Sequence, residues 1–214
     1  MNDYVILLHG LGRTSLSMLR LARFLRKQGY YVHNIGYPSR KYPIEKLAEH
    51  NLKEALEKYC TDQNKKIHFV THSMGGIIVR YFLSKYKPKN LGRVVMLSPP
   101  NKGSEIADFF QKYKLAKFIM GDALSQLGTD KNSLPLKLAL PDFEFGVIMA
   151  KQPIAKLDSL IFSGESDSIV SVESAKLANM QDFMIIPGTH SFIMYDKKVI
   201  QATARFLESG KFGD

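Results

Sequence analysis

The sequence predicts an α/β fold built on one sheet of about six mostly parallel strands, with helices on both faces. Three observations carry this reading. Short β-rich runs alternate with helical patterns along the chain. Most of the runs are apolar almost throughout, as strands covered on both faces are. Alternation of strand and helix requires crossover connections, and these give parallel pairing. The candidate strands are Tyr4–Leu8, Tyr31–Ile35, Ile67–Thr71, Arg93–Leu97, Leu157–Phe162 and Phe183–Ile186.

Helices are expected between them. Met18, Leu21, Ala22 and Leu25 recur at helical spacing, with Ser15 as a plausible N-cap and Gly29 as a stop. Ala48, Leu52, Ala55, Leu56 and Tyr59 form a second apolar stripe, and Ile77–Tyr86 and Lys197–Glu208 read as two more helices. The interval from about 104 to 153 breaks the rhythm. It holds Phe109, Tyr113, Ala116 and Met120 at helical spacing and then a Gly/Pro-punctuated stretch. An unstructured loop of that length is unfavourable in a compact domain, so the interval is read as a small cap inserted between two strands, without a strand of its own.

The 214 residues suit one domain, spanning 1–214, with 45% apolar and 23% charged residues. The single cysteine, Cys60, excludes an internal disulfide and a Cys-based metal site; it is expected to be a packed residue. No run approaches the ~18 apolar residues of a membrane span. The chain enters Tyr4–Leu8 without the basic start of a secretory signal, so a cytoplasmic location is expected. The net charge of +10 suits anionic partners, but Lys and Arg are scattered and form no nucleic-acid-binding motif. A basic, solvated surface is the plainer reading.

The strongest chemical signal is Ile67-His68-Phe69-Val70-Thr71-His72-Ser73-Met74-Gly75-Gly76. A buried strand runs into a tight turn and then a helix. Such a turn holds Ser73 in a strained conformation and presents its hydroxyl at the sheet's C-terminal edge. Gly75 and Gly76 supply the space that closely approaching backbones need. The pattern departs from G-x-S-x-G, because Thr71 stands where the first glycine is usual.

The first strand ends in His9-Gly10-Leu11-Gly12-Arg13-Thr14-Ser15. Acyl transfer needs two donors aimed at a developing oxyanion. One is expected from the N–H of Met74, after the nucleophile, and the other from the early loop, at Leu11. A dinucleotide fingerprint is the rival for this loop. It fails because Ser15 replaces the last glycine and no Asp or Glu occurs between Asp3 and Glu45 to hold a ribose.

In this architecture the acid and the base follow the serine in that order. Of six histidines, only His190 follows a suitable acid after Ser73, and it lies just past the last strand candidate. Asp167, in Ser163-Gly164-Glu165-Ser166-Asp167, is the preferred acid, with Glu165 and Asp158 as competitors. Asp182 sits too near the start of the final strand to reach the catalytic edge.

Taken together, these residues resemble the α/β-hydrolase superfamily, and within it small-cap bacterial lipases and esterases. The matching pieces are His9-Gly10-Leu11-Gly12, His72-Ser73-Met74-Gly75-Gly76, Ser98-Pro99-Pro100-Asn101-Lys102-Gly103-Ser104, Gly164-x-x-Asp167-x-x-Val170 and His190. The resemblance implies a carboxylic-ester hydrolase acting through an acyl-enzyme on Ser73, on a small-molecule or lipid ester, with no cofactor and no metal. It also implies a lid after Ser104. The same machinery serves thioesterases and amidases, and a non-catalytic binding module is the alternative from another class. Lys112 and Lys117 flank the cap stripe, an arrangement that lets lysines snorkel at a membrane surface; a packed cap helix with solvated lysines is the plainer reading.

Overall fold

A computed structural model describes residues 2–113, 120–151, 161–162 and 164–213. Six strands form one all-parallel sheet in the order β2-β1-β3-β4-β5-β6. They are β1 (Tyr4–Leu8), β2 (Tyr31–Ile35), β3 (Ile67–His72), β4 (Leu91–Leu97), β5 (Phe145–Lys151) and β6 (Asp182–Pro187). Five of the strand candidates hold, within two residues at each end.

The fifth is a correction. β5 lies inside the interval read as strandless cap, so the insertion ends before Phe145. Its sequence, Phe-Gly-Val-Ile-Met-Ala-Lys, has only two β-branched residues, and Gly146 blurs the strand signal. Gly146 is needed there because an added Cβ would stand 2.4 Å from the Phe206 ring and 2.6 Å from Phe212. The run at Leu157–Phe162 does not supply the strand: Ile161 is helical, Phe162 is outside any strand, and 157–160 lie outside the described residues.

The helices sit on both faces. α1 (Leu19–Lys27) follows a 3-10 turn at Ser15–Met18, and with α9 (Lys197–Ser209) it covers one face. On the other face α2 (Ile44–Lys46) runs through a π-helical segment, Leu47–Leu52, into α3 (Lys53–Tyr59), and α4 (Met74–Lys85) packs beside them. α4 is apolar nearly all round and buried from Met74 to Leu83, which fits a helix enclosed by sheet, α2 and cap. The cap carries α5 (Glu105–Gln111), α6 (Asp122–Ser125) and α7 (Leu134–Lys137). α8 (Val172–Ala175) lies between β5 and β6. Of the cap stripe, Ala116 and Lys117 lie outside the described residues. Among the described residues no helix is long and apolar enough to cross a membrane.

A bulge in β4, at Gly92-Arg93 opposite His68, fixes a buried histidine. The β3–β4 register shifts between Ile67 and Phe69. The Arg93 N–H is donated instead to Nδ1 of His68 at 2.9 Å, and an added Cβ on Gly92 would stand 2.6 Å from that ring nitrogen. Accepting the bond requires an unprotonated Nδ1. Burial pushes the His68 pKa down to about 4, and the nearby Asp3 carboxylate only partly opposes this. Below the ordinary histidine value of about 6.5 the unfolded chain takes up a proton that the folded chain refuses. Stability is therefore full above that pH and falls as pH drops towards 4, by up to about 3 kcal/mol from this site. The urea midpoint should decline from pH 7 to pH 4.5, and His68→Asn, which keeps an acceptor without the titration, should flatten the decline. An equal decline in that variant would remove His68 from the account.

Candidate active site

The strand-to-helix turn after β3 is strained as the motif requires. Ser73 has φ 53° and ψ −126°, a left-handed conformation that costs a non-glycine residue about 1–3 kcal/mol. Neighbours over-determine it. The Ser73 N–H is donated to the Leu97 carbonyl at 2.9 Å, and the Gly76 N–H to the Ser73 carbonyl at 2.9 Å. A Cβ on Gly75 would stand 2.8 Å from the Leu8 carbonyl oxygen and 3.0 Å from that of His9, both rigid backbone. A Cβ on Gly10 would stand 2.9 Å from the His72 ring and 3.0 Å from Ser73 Cβ. The end of β1 thus passes directly over the turn.

Thr71 explains its own departure from the motif. It is fully buried, and its hydroxyl is 3.4 Å from the Val95 carbonyl, to which it donates. A Cβ on Gly76 would stand 3.4 Å from Thr71 Oγ1 and 3.2 Å from Pro99. The bulk gained at 71 is accommodated by the glycine at 76.

The expected oxyanion donors lie on suitable backbone. Met74 opens α4, so its N–H is one of the first donors of the helix and has no acceptor within it. Gly10-Leu11-Gly12-Arg13 is a β-turn closed by the Arg13 N–H on the Gly10 carbonyl at 3.2 Å. Gly12, at the third position, has φ 69°, the region such a turn demands of glycine. Leu11, at the second position, keeps its N–H outside the closing bond. Leu11 and Ser73 line the same cavity.

Asp167 and His190 meet as expected. His190 Nδ1 lies 2.7 Å from Asp167 Oδ2, with both side chains buried. Asp167 Oδ1 accepts from the Ile169 and Val170 N–H groups at 3.1 and 2.9 Å. A carboxylate held this way orients the imidazole with the proton on Nδ1, leaving Nε2 free as an acceptor. Glu165 turns elsewhere: it is exposed and paired with Lys151. Asp158 lies outside the described residues. Asp182 begins β6 and accepts from the Phe212 N–H, at the opposite end of the sheet.

Sequence reasoning missed three supports. His72 is fully buried and its Nε2 is 2.9 Å from the His190 carbonyl. A carbonyl only accepts, so Nε2 carries the proton and the ring fastens the His190 backbone to the end of β3, where Ser73 follows. Burial holds the His72 pKa well below the ordinary value, and the adjacent His190 ring adds to this. His9 is the second: its Nδ1 is 2.9 Å from the Gly10 carbonyl, and its ring stacks on Tyr37 at 4.0 Å. Arg80, on α4, is the third. It donates to the Asn101 carbonyl at 2.8 Å and to the Pro135 and Leu138 carbonyls at 3.3 Å, tying the loop after β4 to the cap. Only the buried arginine in an otherwise apolar helix pattern could have marked it.

Ser73 and His190 open on one cavity of about 220 Å³. Leu11, Ile106, Phe110, Met120, Leu127 and Val170 contribute apolar walls, and Arg13 is a cation at its edge. No Asp or Glu lines it among the described residues. Ser104 caps α5 and donates its hydroxyl to the Ile169 carbonyl at 2.6 Å, joining cap and acid loop.

A sequence profile of the palmitoyl protein thioesterase family matches residues 4–133, more than half of the chain. The chain belongs to this family. Among curated protein sequences no match was found. Solved structures share its α/β-hydrolase fold at low identity. The phospholipase PlaB from Legionella pneumophila is 18% identical with a TM-score of 0.68, covering 95% of this chain and 57% of its own length. The mature lipase BlEst2 from Bacillus licheniformis is 19% identical with a TM-score of 0.68, covering 98% and 92%. The metagenomic carboxyl esterase MGS0156 is 17% identical with a TM-score of 0.73, covering 88% and 64%. This thioesterase-family chain therefore spans little more than half of the phospholipase, and at these identities the likeness concerns the fold.

The hydrogen bonds fix distinct ring states that nitrogen NMR reads directly. In their neutral forms, His190 should carry its proton on Nδ1 and His72 on Nε2. Asp167→Asn should disturb the His190 tautomer and leave that of His72, whereas Glu165→Gln should change neither. A normal His190 tautomer in Asp167→Asn would show that the carboxylate does not orient the ring.

Proposed function

We propose that the chain is a serine hydrolase that cleaves acyl esters through Ser73, His190 and Asp167. One observation carries the proposal. The buried His190–Asp167 pair, joined at 2.7 Å, opens on the same apolar cavity as the strained Ser73 turn.

In this mechanism His190 Nε2 takes the Ser73 proton as Oγ attacks the acyl carbonyl. The tetrahedral oxyanion accepts from the Met74 and Leu11 N–H groups, with the α4 N-terminus adding favourable field. Collapse breaks the bond to the leaving group, which takes the proton from His190 and leaves acyl-Ser73. Water then repeats the sequence, giving the free acid and Ser73. Asp167 stabilises the imidazolium formed in each half. The apolar cavity walls suit an acyl chain; among the described residues they supply no acid that would repel a carboxylate product.

Oxygen esters are the first reading. The family match favours a second, in which the leaving group is a thiol. Both use the same acyl-enzyme, so kcat/KM on an oxygen ester and a thioester of one acyl chain decides between them. A fluorophosphonate should label the protein at Ser73 and nowhere else. Ser73→Ala should lose labelling and on the order of 10⁶ in kcat while remaining folded. Substantial turnover by purified, folded Ser73→Ala would end the proposal.

A further inference from the structure

Outside the cavity, the molecule carries an unpaired basic groove beside two protruding apolar side chains. The groove, of about 320 Å³, lies between α1 and α9. Arg20, Arg23 and Lys27 line one wall, Lys197 lies opposite, and Phe24 and Ile200 supply apolar surface. No Asp or Glu lines it among the described residues, and none of the four cations is in a salt bridge there. The adjacent acid, Asp196, is occupied in capping α9 through the Lys198 and Val199 N–H groups. Like charges left side by side raise the local positive potential and attract anions.

Leu16 and Phe192 are the two most exposed large apolar side chains described, at 72% and 65%. Leu16 precedes Arg20 by one helical turn and continues the Arg20, Arg23, Lys27 stripe. Its 3-10 turn packs against the turn at Ile193–Tyr195, which Phe192 opens. Helices in a parallel α/β layer run antiparallel to the strands, so both side chains and the N-termini of α1 and α9 stand at the sheet edge that holds Ser73. Leu16 follows the Leu11 turn, and Phe192 follows His190.

We infer that this face is a docking surface for an anionic lipid bilayer, with Leu16 and Phe192 entering the headgroup layer and the α1–α9 groove holding lipid anions. Cations beside protruding Leu and Phe form the pattern of interfacial binding. A soluble anion would leave the apolar pair unexplained, and a neutral surface would leave the cations unexplained. Docking here brings the cavity mouth to the membrane. It concerns binding, so it stands apart from the proposed ester chemistry.

Sedimentation of the full chain with extruded vesicles tests it. Binding is expected to phosphatidylglycerol–phosphatidylcholine vesicles and not to phosphatidylcholine alone, and should be lost at about 1 M salt, where the Debye length is about 3 Å. Arg20→Gln/Arg23→Gln/Lys197→Gln should weaken the partition coefficient on the order of 100-fold. Leu16→Ser/Phe192→Ser should weaken it at least about tenfold, with an unchanged circular dichroism spectrum. Lys46→Gln/Lys58→Gln/Lys89→Gln, which removes as much charge from surfaces outside the groove, should have little effect. Equal binding to neutral vesicles, no binding to anionic ones, or an equal loss in the control triple variant would overturn the inference. The salt series and the Leu16/Phe192 pair decide the matter even if the basic triple variant folds poorly.

Discussion

A helix that must start from a left-handed serine is the constraint on which the rest depends. Ser73 holds φ 53° only because backbone presses on it from two sides. The carbonyls of Leu8 and His9 crowd Gly75, and the β4 terminus supplies the Leu97 carbonyl that receives the Ser73 N–H. This explains why β1 and β4 flank β3 and why their C-terminal loops carry glycine, proline and serine instead of bulk. It also explains why α4 is buried along most of its length: a helix tethered at a strained start needs packing on every side to keep it there. The same crowding brings the Leu11 turn and Ser73 to one cavity, with Met74 following Ser73 at the start of α4.

Buried histidines are the second element, and their protonation follows from their partners. His9 gives its Nδ1 proton to the Gly10 carbonyl, His72 its Nε2 proton to the His190 carbonyl, and His68 accepts from the Arg93 N–H. Burial holds all three below the ordinary histidine pKa. Neutral rings cost less to bury than charged ones, and each of the three hydrogen-bonds a backbone group. His190 differs because a carboxylate, not a carbonyl, faces its Nδ1. That difference sets His190 apart from the rings that only hold backbone. In the sequence only chain order sets His190 apart from the other five.

Much of this was legible beforehand, for physical reasons. The elbow is legible because only small residues fit beside it, and chain order left His190 as the one candidate base. Asp167 was separable from Glu165 only by side-chain direction, which depends on the turn through Ile169 and Val170 and on Lys151 reaching Glu165. β5 was missed because Gly146, Met149 and Ala150 weaken the strand pattern, and Gly146 is there for the aromatic pair of α9 and the C-terminal segment. A contact across the fold thus chose a residue that local propensity disfavours. Arg80 was illegible for the same reason: its partners, Asn101 and the carbonyls of Pro135 and Leu138, are far away in sequence.

Those long-range ties divide the molecule's work. Arg80, pushed down by burial to about 10, still bears its charge at neutral pH, and its carbonyl partners supply acceptors in place of water. It anchors the end of the cap at Pro135–Ala139 to α4, the helix that begins at Ser73. Ser104 anchors the start of the cap to the loop that carries Asp167. Both ends of the insertion are therefore fixed to the elements that hold the site. Its apolar side chains, Ile106, Phe110, Met120 and Leu127, line the cavity between those anchors. Changes in these walls alter what fits while Ser73, His190 and Asp167 keep their frame, since none of the three is held by a cap side chain among the described residues. The sheet edge holds Ser73, His190 and Asp167 and the insertion shapes the cavity, and the two are joined through Arg80 and Ser104.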